Sequence, residues 1–173
     1  MLARLAATYD RLDRRITQAL ADWGITVLRV ALGIVFLWFG VLKLIPGLSP
    51  AEGLAGKTIE TLTLGVVQPS VSLPLLGLVE SLIGIGLLTG WFLRGVLLVL
   101  AIQMLGTLTP LLLFPDEAWV RFPFVPTLEG QYIIKNLVLI AAAMVIGATV
   151  RGGRLIAEPS PQTVGVPVED PTS

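Results

Sequence analysis

The chain contains neither histidine nor cysteine. That removes the commonest general base, the usual haem ligand and all thiolate chemistry, and with them iron–sulfur clusters, thiol relays and disulfides. Any remaining chemistry must come from carboxyl, amino, guanidinium, amide and phenol groups. Of such side chains inside or at the edge of long apolar runs, seven stand out: Arg29, Lys43, Glu80, Gln103, Tyr132, Lys135 and Asn136. A carboxylic acid flanked by cations and amides can exchange a proton and can hold a polar ligand by hydrogen bonds. Glu80 is the candidate proton-exchanging acid, and the other six are candidate ligand-binding groups. Nothing in the pattern has the makeup of a metal site. No constellation marks a stand-alone enzyme, so the question of catalysis stays open.

Depth gives these groups unequal meaning. At 1.5 Å rise per residue, Arg29 lies about 9 Å to one side of the middle of its run, and Lys135 about 9 Å to the other side of its own. Helical side chains lean toward their N-terminus, so both can reach toward a near membrane surface. Glu80 lies within about 3 Å of the middle of its run and is too short to do so. A charge there is costly, so Glu80 is either protonated or paired, with Lys43 or Lys135 as the partner. The plain alternatives are a structural ion pair at Glu80 and, for Gln103, a hydrogen bond that merely glues two helices.

The runs that must position these groups are four: residues 25–45, 73–90, 93–113 and 132–150. A membrane-spanning helix needs about 20 mainly apolar residues. The runs are long and do not alternate, which selects helices over strands. Composition agrees: 54% of residues are hydrophobic and 14% charged, where soluble domains carry about a quarter charged. The fold class is therefore an all-α membrane protein, a four-transmembrane-helix bundle over residues 25–150. Each run has one face of small and polar residues: Arg29, Gly33, Phe36, Gly40 and Lys43 in the first, and Gly77, Glu80, Ser81 and Gly84 in the second. The third has Gly95, Gln103, Gly106 and Pro110, and the fourth Asn136, Ala143 and Gly147. Small residues allow close helix contact and polar ones turn away from lipid, so the bundle should carry a polar interior.

Residues 1–24 form an amphipathic stripe through Leu2, Leu5, Tyr9, Leu12, Ile16, Ala19 and Trp23. They read as an interfacial helix in the headgroup plane, or as a helix packing on a partner protein. They are not a cleavable signal, since Arg29 and Lys43 interrupt the apolar run that follows. In the first loop, Ile59, Leu62 and Val66 suggest a short helix. Pro110 should kink the third span, and Thr127 with Glu129 behind it should cap the fourth. Residues 151–173, rich in Pro, acid and Thr, read as a disordered cytoplasmic tail. Seven Lys or Arg lie on the side of both termini and four on the other, which orients the termini toward the cytoplasm of a bacterial inner membrane. The twelve basic and twelve acidic residues give no electrostatic basis for a nucleic-acid partner.

The segments LRVALGIVFLWFGVLKL, LVESLIGIGLLTGWFLRG and GQYIIKNLVLIAAAMVIGA resemble the DoxX family of small four-span membrane proteins. The resemblance covers about residues 25–150 and rests on the Arg…Gly…Phe…Gly-x-x-Lys spacing and on the Glu before an apolar-Gly run. It implies an accessory subunit of a quinone-linked redox or oxidative-stress complex, with an oxidoreductase partner. A quinone is then the cofactor implied, since haem and iron–sulfur clusters lack ligands here. Two other readings stay open from the residues: a binder or carrier of a lipid-like or weakly acidic solute, and a structural membrane scaffold. No inverted repeat of broken helices is visible, which counts against a standard secondary transporter. Besides the lipid bilayer, a homo-oligomer is a further expected association.

Overall fold

The computed structural model describes residues 2–49, 52–153 and 155, with the backbone alone at residues 2–8. The rest of the tail expected to be disordered lies outside the described residues. In chain order the elements are α1 (Leu2–Lys43), α2 (Glu52–Leu62), α3 (Pro69–Thr89), α4 (Leu93–Leu108), α5 (Pro110–Leu113) and α6 (Pro115–Ala118). Then follow β1 (Trp119–Arg121), β2 (Val125–Pro126) and α7 (Leu128–Thr149).

Four helical stretches are long and apolar enough to cross a membrane: Tyr9–Lys43, Pro69–Thr89, Leu93–Leu113 and Leu128–Thr149. They match the four runs, with α3 and α7 each starting four residues earlier than expected. The largest difference is at the start of the chain. No break separates an interfacial helix from the first span: α1 is one helix of 42 residues. The physical reason is plain in the sequence, where no proline occurs before Pro46 and Gly24 is tolerated inside the helix. At 1.5 Å per residue α1 is about 63 Å long, twice the thickness of the hydrocarbon layer.

Pro110 acts as its chemistry dictates. Without an N–H it ends α4, and Thr109 Oγ1 donates to the Gly106 carbonyl at 2.7 Å while the chain stays helical into α5. The turn from α3 to α4 needs left-handed backbone at Gly90 (φ 73) and Phe92 (φ 48). Thr127 caps α7, its Oγ1 accepting from the Gly130 N–H at 3.1 Å.

The long loops cover one end of the bundle. Gly56 of α2 lies against Pro69 and Leu73 of α3. The short antiparallel ladder β1–β2, pairing Trp119 with Pro126, was not foreseen from the prolines around it. Trp119 Nε1 donates to the Leu111 carbonyl at 3.0 Å, and Lys57 forms an ion pair with Glu117, joining α2 to α6. The apolar core is Leu32 and Phe36 of α1, Ile83 and Leu87 of α3, Leu100 and Met104 of α4, and Ala143 and Ile146 of α7. It fills the half of the bundle nearer the short α3–α4 turn. Polar groups occupy the half nearer the long loops.

Candidate functional site

The site is built by the seam between α1 and α3. The two helices run antiparallel, so Gly40 faces Glu80 and Ser81 while Gly77 faces Lys43. A Cβ on Gly40 would stand 2.5 Å from the Ser81 nitrogen, and one on Gly77 would stand 2.8 Å from the Gly40 carbonyl oxygen. A Cβ on Gly84 would lie 2.4 Å from the Leu37 nitrogen. Only glycine allows this approach, as small residues do generally where helices pack in membranes. Two of these glycines lie three residues before a charged group: Gly40 before Lys43, Gly77 before Glu80. In an antiparallel seam that spacing sets the two charges across from one another.

The charges meet. Lys43 Nζ lies 2.7 Å from Glu80 Oε2, with side chains 12% and 9% exposed. From α4, Gln103 Nε2 donates to Glu80 Oε1 at 2.8 Å. Both carboxylate oxygens therefore have a donor, and three helices are tied at one point. The amide nitrogen of Gln103 must face the carboxylate because a carboxylate only accepts. Its other atom, Oε1, is consequently buried with no hydrogen-bond partner among the described residues.

The remaining sequence candidates go elsewhere. Asn136 Nδ2 donates to Thr107 Oγ1 at 3.2 Å, one helical turn along α4 from Gln103. Lys135 is exposed and does not pair with Glu80; its Nζ sits 5.1 Å from the ring centroid of Tyr132, itself exposed. Arg29 donates through Nη1 to the carbonyls of Leu87 and, at 3.2 Å, Leu88 at the end of α3. Of the seven candidates, the structure joins Glu80, Lys43 and Gln103 directly. Lys57 with Glu117 escaped sequence reading, because residues 60 apart give no local signal. A concave region of about 560 Å³ lies at the far end of the bundle, among Gly90, Phe92, Arg94 and Val150. Among the described residues, no three His, Cys, Asp or Glu side chains group to hold a metal ion.

The DoxX family profile matches residues 24–114, just over half of the chain. The chain belongs to the DoxX family. No curated protein and no solved structure matches it. The matched DoxX segment contains Arg29, Lys43, Glu80 and Gln103, whereas Tyr132, Lys135 and Asn136 on α7 fall beyond it. The division agrees with the geometry: the hydrogen-bonded triad lies wholly within the DoxX match. With four apolar helices of spanning length, this DoxX protein is an integral, multi-pass membrane protein.

Chemically, the triad is a buried carboxylate whose two oxygens are held by a cation and an amide. Proton exchange at Glu80 would leave Lys43 without its counter-charge. The two groups therefore act as one unit, and what changes the charge of one changes the hold of the other. Among the three residues, Gln103 Oε1 is the buried acceptor left without a donor.

Proposed function

We propose that this DoxX protein is an accessory subunit of a quinone-linked redox or oxidative-stress complex in a bacterial inner membrane, with both termini in the cytoplasm. Lys43, Glu80 and Gln103 would hold the quinone headgroup. The observation that carries this reading is the buried, unpartnered Gln103 Oε1 beside a Lys–Glu pair that joins three helices. A quinone headgroup bears carbonyl acceptors when oxidised and hydroxyl donors when reduced. Lys43 keeps N–H groups beyond the one used on Glu80, and Gln103 Oε1 is an acceptor without a donor, so the residues offer partners to both forms. When bound, the quinone supplies the electron chemistry that a chain without His or Cys lacks. Glu80 holds or releases a proton at its carboxylate, and Lys43 balances the charge. The electrons come from a partner oxidoreductase with its own cofactor.

A second reading, the structural scaffold, draws on a different observation. Glu80 is satisfied within the chain by Lys43 and Gln103, as expected of polar glue between helices. Binding of a short-chain quinone to the detergent-purified protein separates the two. The redox reading expects saturable binding to the wild type that falls at least tenfold in a Gln103→Leu variant that still folds, and copurification of an oxidoreductase in mild detergent. A wild-type protein that binds no quinone and purifies alone leaves the scaffold.

Orientation has its own test. In this cysteine-free chain, Ser49→Cys and Asp116→Cys should label with an impermeant thiol reagent on intact cells, and Gln18→Cys should not. The reverse pattern inverts the topology.

A further inference from the structure

The loop between α6 and α7 leaves its large apolar side chains bare. From Trp119 to Leu128 the sequence is WVRFPFVPTL, with Arg121 its only charge. Val120, Phe122 and Phe124 are 72%, 62% and 82% exposed, and Val125 is exposed as well. Apolar surface of this kind in water is unfavourable and marks a place where something covers it. What covers it is decided by where the hairpin β1–β2 is held.

Its contacts hold it level with the ends of two spans. Trp119 Nε1 donates to the Leu111 carbonyl at 3.0 Å. Leu111 belongs to the third span, Leu93–Leu113, whose 21 residues are about 31 Å long and so match the hydrocarbon layer. Its carbonyl therefore lies about 3 Å from the edge of that layer. On the other side, the Thr127 N–H donates to the Ala118 carbonyl at 3.0 Å. Gly130, in the first turn of α7, packs on that carbonyl so closely that a Cβ would stand 2.0 Å from its oxygen. The ring of Phe122 is 5.5 Å from that of Trp119. The headgroup layer is about 5–8 Å thick on each side of the membrane. The base of the hairpin thus stands at the edge of the hydrocarbon, and Phe122 stands within the headgroup layer. Its bare surface also continues that of the spans, where Leu112 and Leu128 are exposed and lipid covers them.

We propose that the hairpin β1–β2 is a lipid-binding element, with Val120, Phe122 and Phe124 seated at the boundary between headgroups and acyl chains. Apolar and aromatic side chains beside a cation are the makeup of elements that bind there. The backbone suits the place too. Pro123 and Pro126 have no N–H, and the Phe124 N–H donates to the Arg121 carbonyl at 2.9 Å, so the tip shows lipid few bare donors. Arg121 is exposed and forms no ion pair among the described residues. Its stem can lie along apolar surface while its guanidinium meets a lipid phosphate. The acids Asp116, Glu117 and Glu129 flank the segment and do not enter it. Bound in this way, the hairpin fixes the depth of the end of α5 and the start of α7, to which it is tied. Lys43, Glu80 and Gln103 belong to other elements, so this inference stands apart from the quinone reading.

Spin labels on single cysteines test it, in the full chain reconstituted into vesicles of phosphatidylcholine and phosphatidylglycerol. Oxygen concentrates in lipid and a polar nickel chelate in water, so the ratio of their collision rates with the label reports its depth. Leu105→Cys, exposed on the third span, sets the lipid value, and Asp116→Cys, exposed on α6, sets the water value. Phe122→Cys and Phe124→Cys should each give a ratio several-fold above that of Asp116→Cys. Ratios equal to that of Asp116→Cys overturn the proposal and leave the hairpin in water, free for a protein partner. Labels shielded from both reagents overturn it too, and assign the cover to a second copy of the chain. A label at Val120→Cys gives the second arm. Adding Phe122→Ser and Phe124→Ser should lower its ratio several-fold toward the water value. An unchanged ratio there overturns the part given to the two rings.

Discussion

α1 presents two cations to α3, Arg29 at the end of the seam near the α3–α4 turn and Lys43 at the end near the long loops. They are 14 residues apart, about 21 Å, on one face of the helix. They meet different things. Arg29 reaches the carbonyls of Leu87 and Leu88, in the last turn of α3, where no further N–H is available within the helix. It also suits the negative end of the helix dipole. Lys43 meets Glu80 in the middle of α3, where the backbone is already satisfied and the only demand is a side-chain charge. The same kind of residue on the same face is therefore backbone cap at one end and half of a buried ion pair at the other. Where along α3 the cation lands decides which.

The largest effect should come from breaking the Lys43–Glu80 pair. Glu80→Leu leaves Lys43 buried without its counter-charge, and should cost about 3–5 kcal/mol in detergent melting or denaturant unfolding. Adding Lys43→Met should recover most of that loss, because the uncompensated charge is then gone. If the single change costs nothing, the pair does not hold the seam, and the contrast with Arg29 collapses.

Arg29 should behave differently. Arg29→Met removes charge-assisted hydrogen bonds to backbone carbonyls, and should cost about 1.5–3 kcal/mol. Here no change of partner side chain can compensate, since the acceptors are main-chain atoms. Arg29→Lys should restore part of the loss by keeping a positive charge near the helix end. Recovery of Arg29→Met by a side-chain substitution elsewhere in α3 would show that the two ends are alike after all.

The sequence shows this contrast only in part. Four spans, the Pro110 break and the Thr127 cap follow from composition, proline chemistry and capping pattern, all local signals. Glu80 stands out because a carboxylate at mid-span needs a partner. Which cation supplies it is not a local matter: Lys43 and Lys135 both qualified by depth, and the antiparallel glycine seam selects Lys43. Arg29 had the phase of a site residue, and its phase is right, but what it meets depends on where α3 ends. The unbroken α1 was hidden by amphipathicity, which describes a face of a helix and not its direction. The ladder β1–β2 rests on pairing across a loop full of proline, which reads locally as breakage.

The smallest effects sharpen the comparison at the two crossings themselves. Gly40 and Gly33 sit on the same face of α1, one beside Lys43 and one beside Arg29. A Cβ on Gly40 would lie 2.5 Å from the Ser81 backbone nitrogen, which cannot move without moving α3. Gly40→Ala should therefore cost about 1–3 kcal/mol by forcing the helices apart, and should lengthen the Lys43–Glu80 contact. A Cβ on Gly33 would meet Leu88 Cγ at 2.9 Å and Leu87 Cβ at 3.1 Å, side-chain atoms of which the Leu88 pair can swing aside. Against that crowding stands the gain of replacing a helical glycine by alanine, about 0.5–1 kcal/mol. Gly33→Ala should thus fall within about 1 kcal/mol of the wild type, in either direction. Melting temperatures of the two variants in one detergent decide the matter. Equal losses would mean that the seam is as rigid at the Arg29 end as at the ion pair, and that its tightness is not reserved for the end where the charges meet.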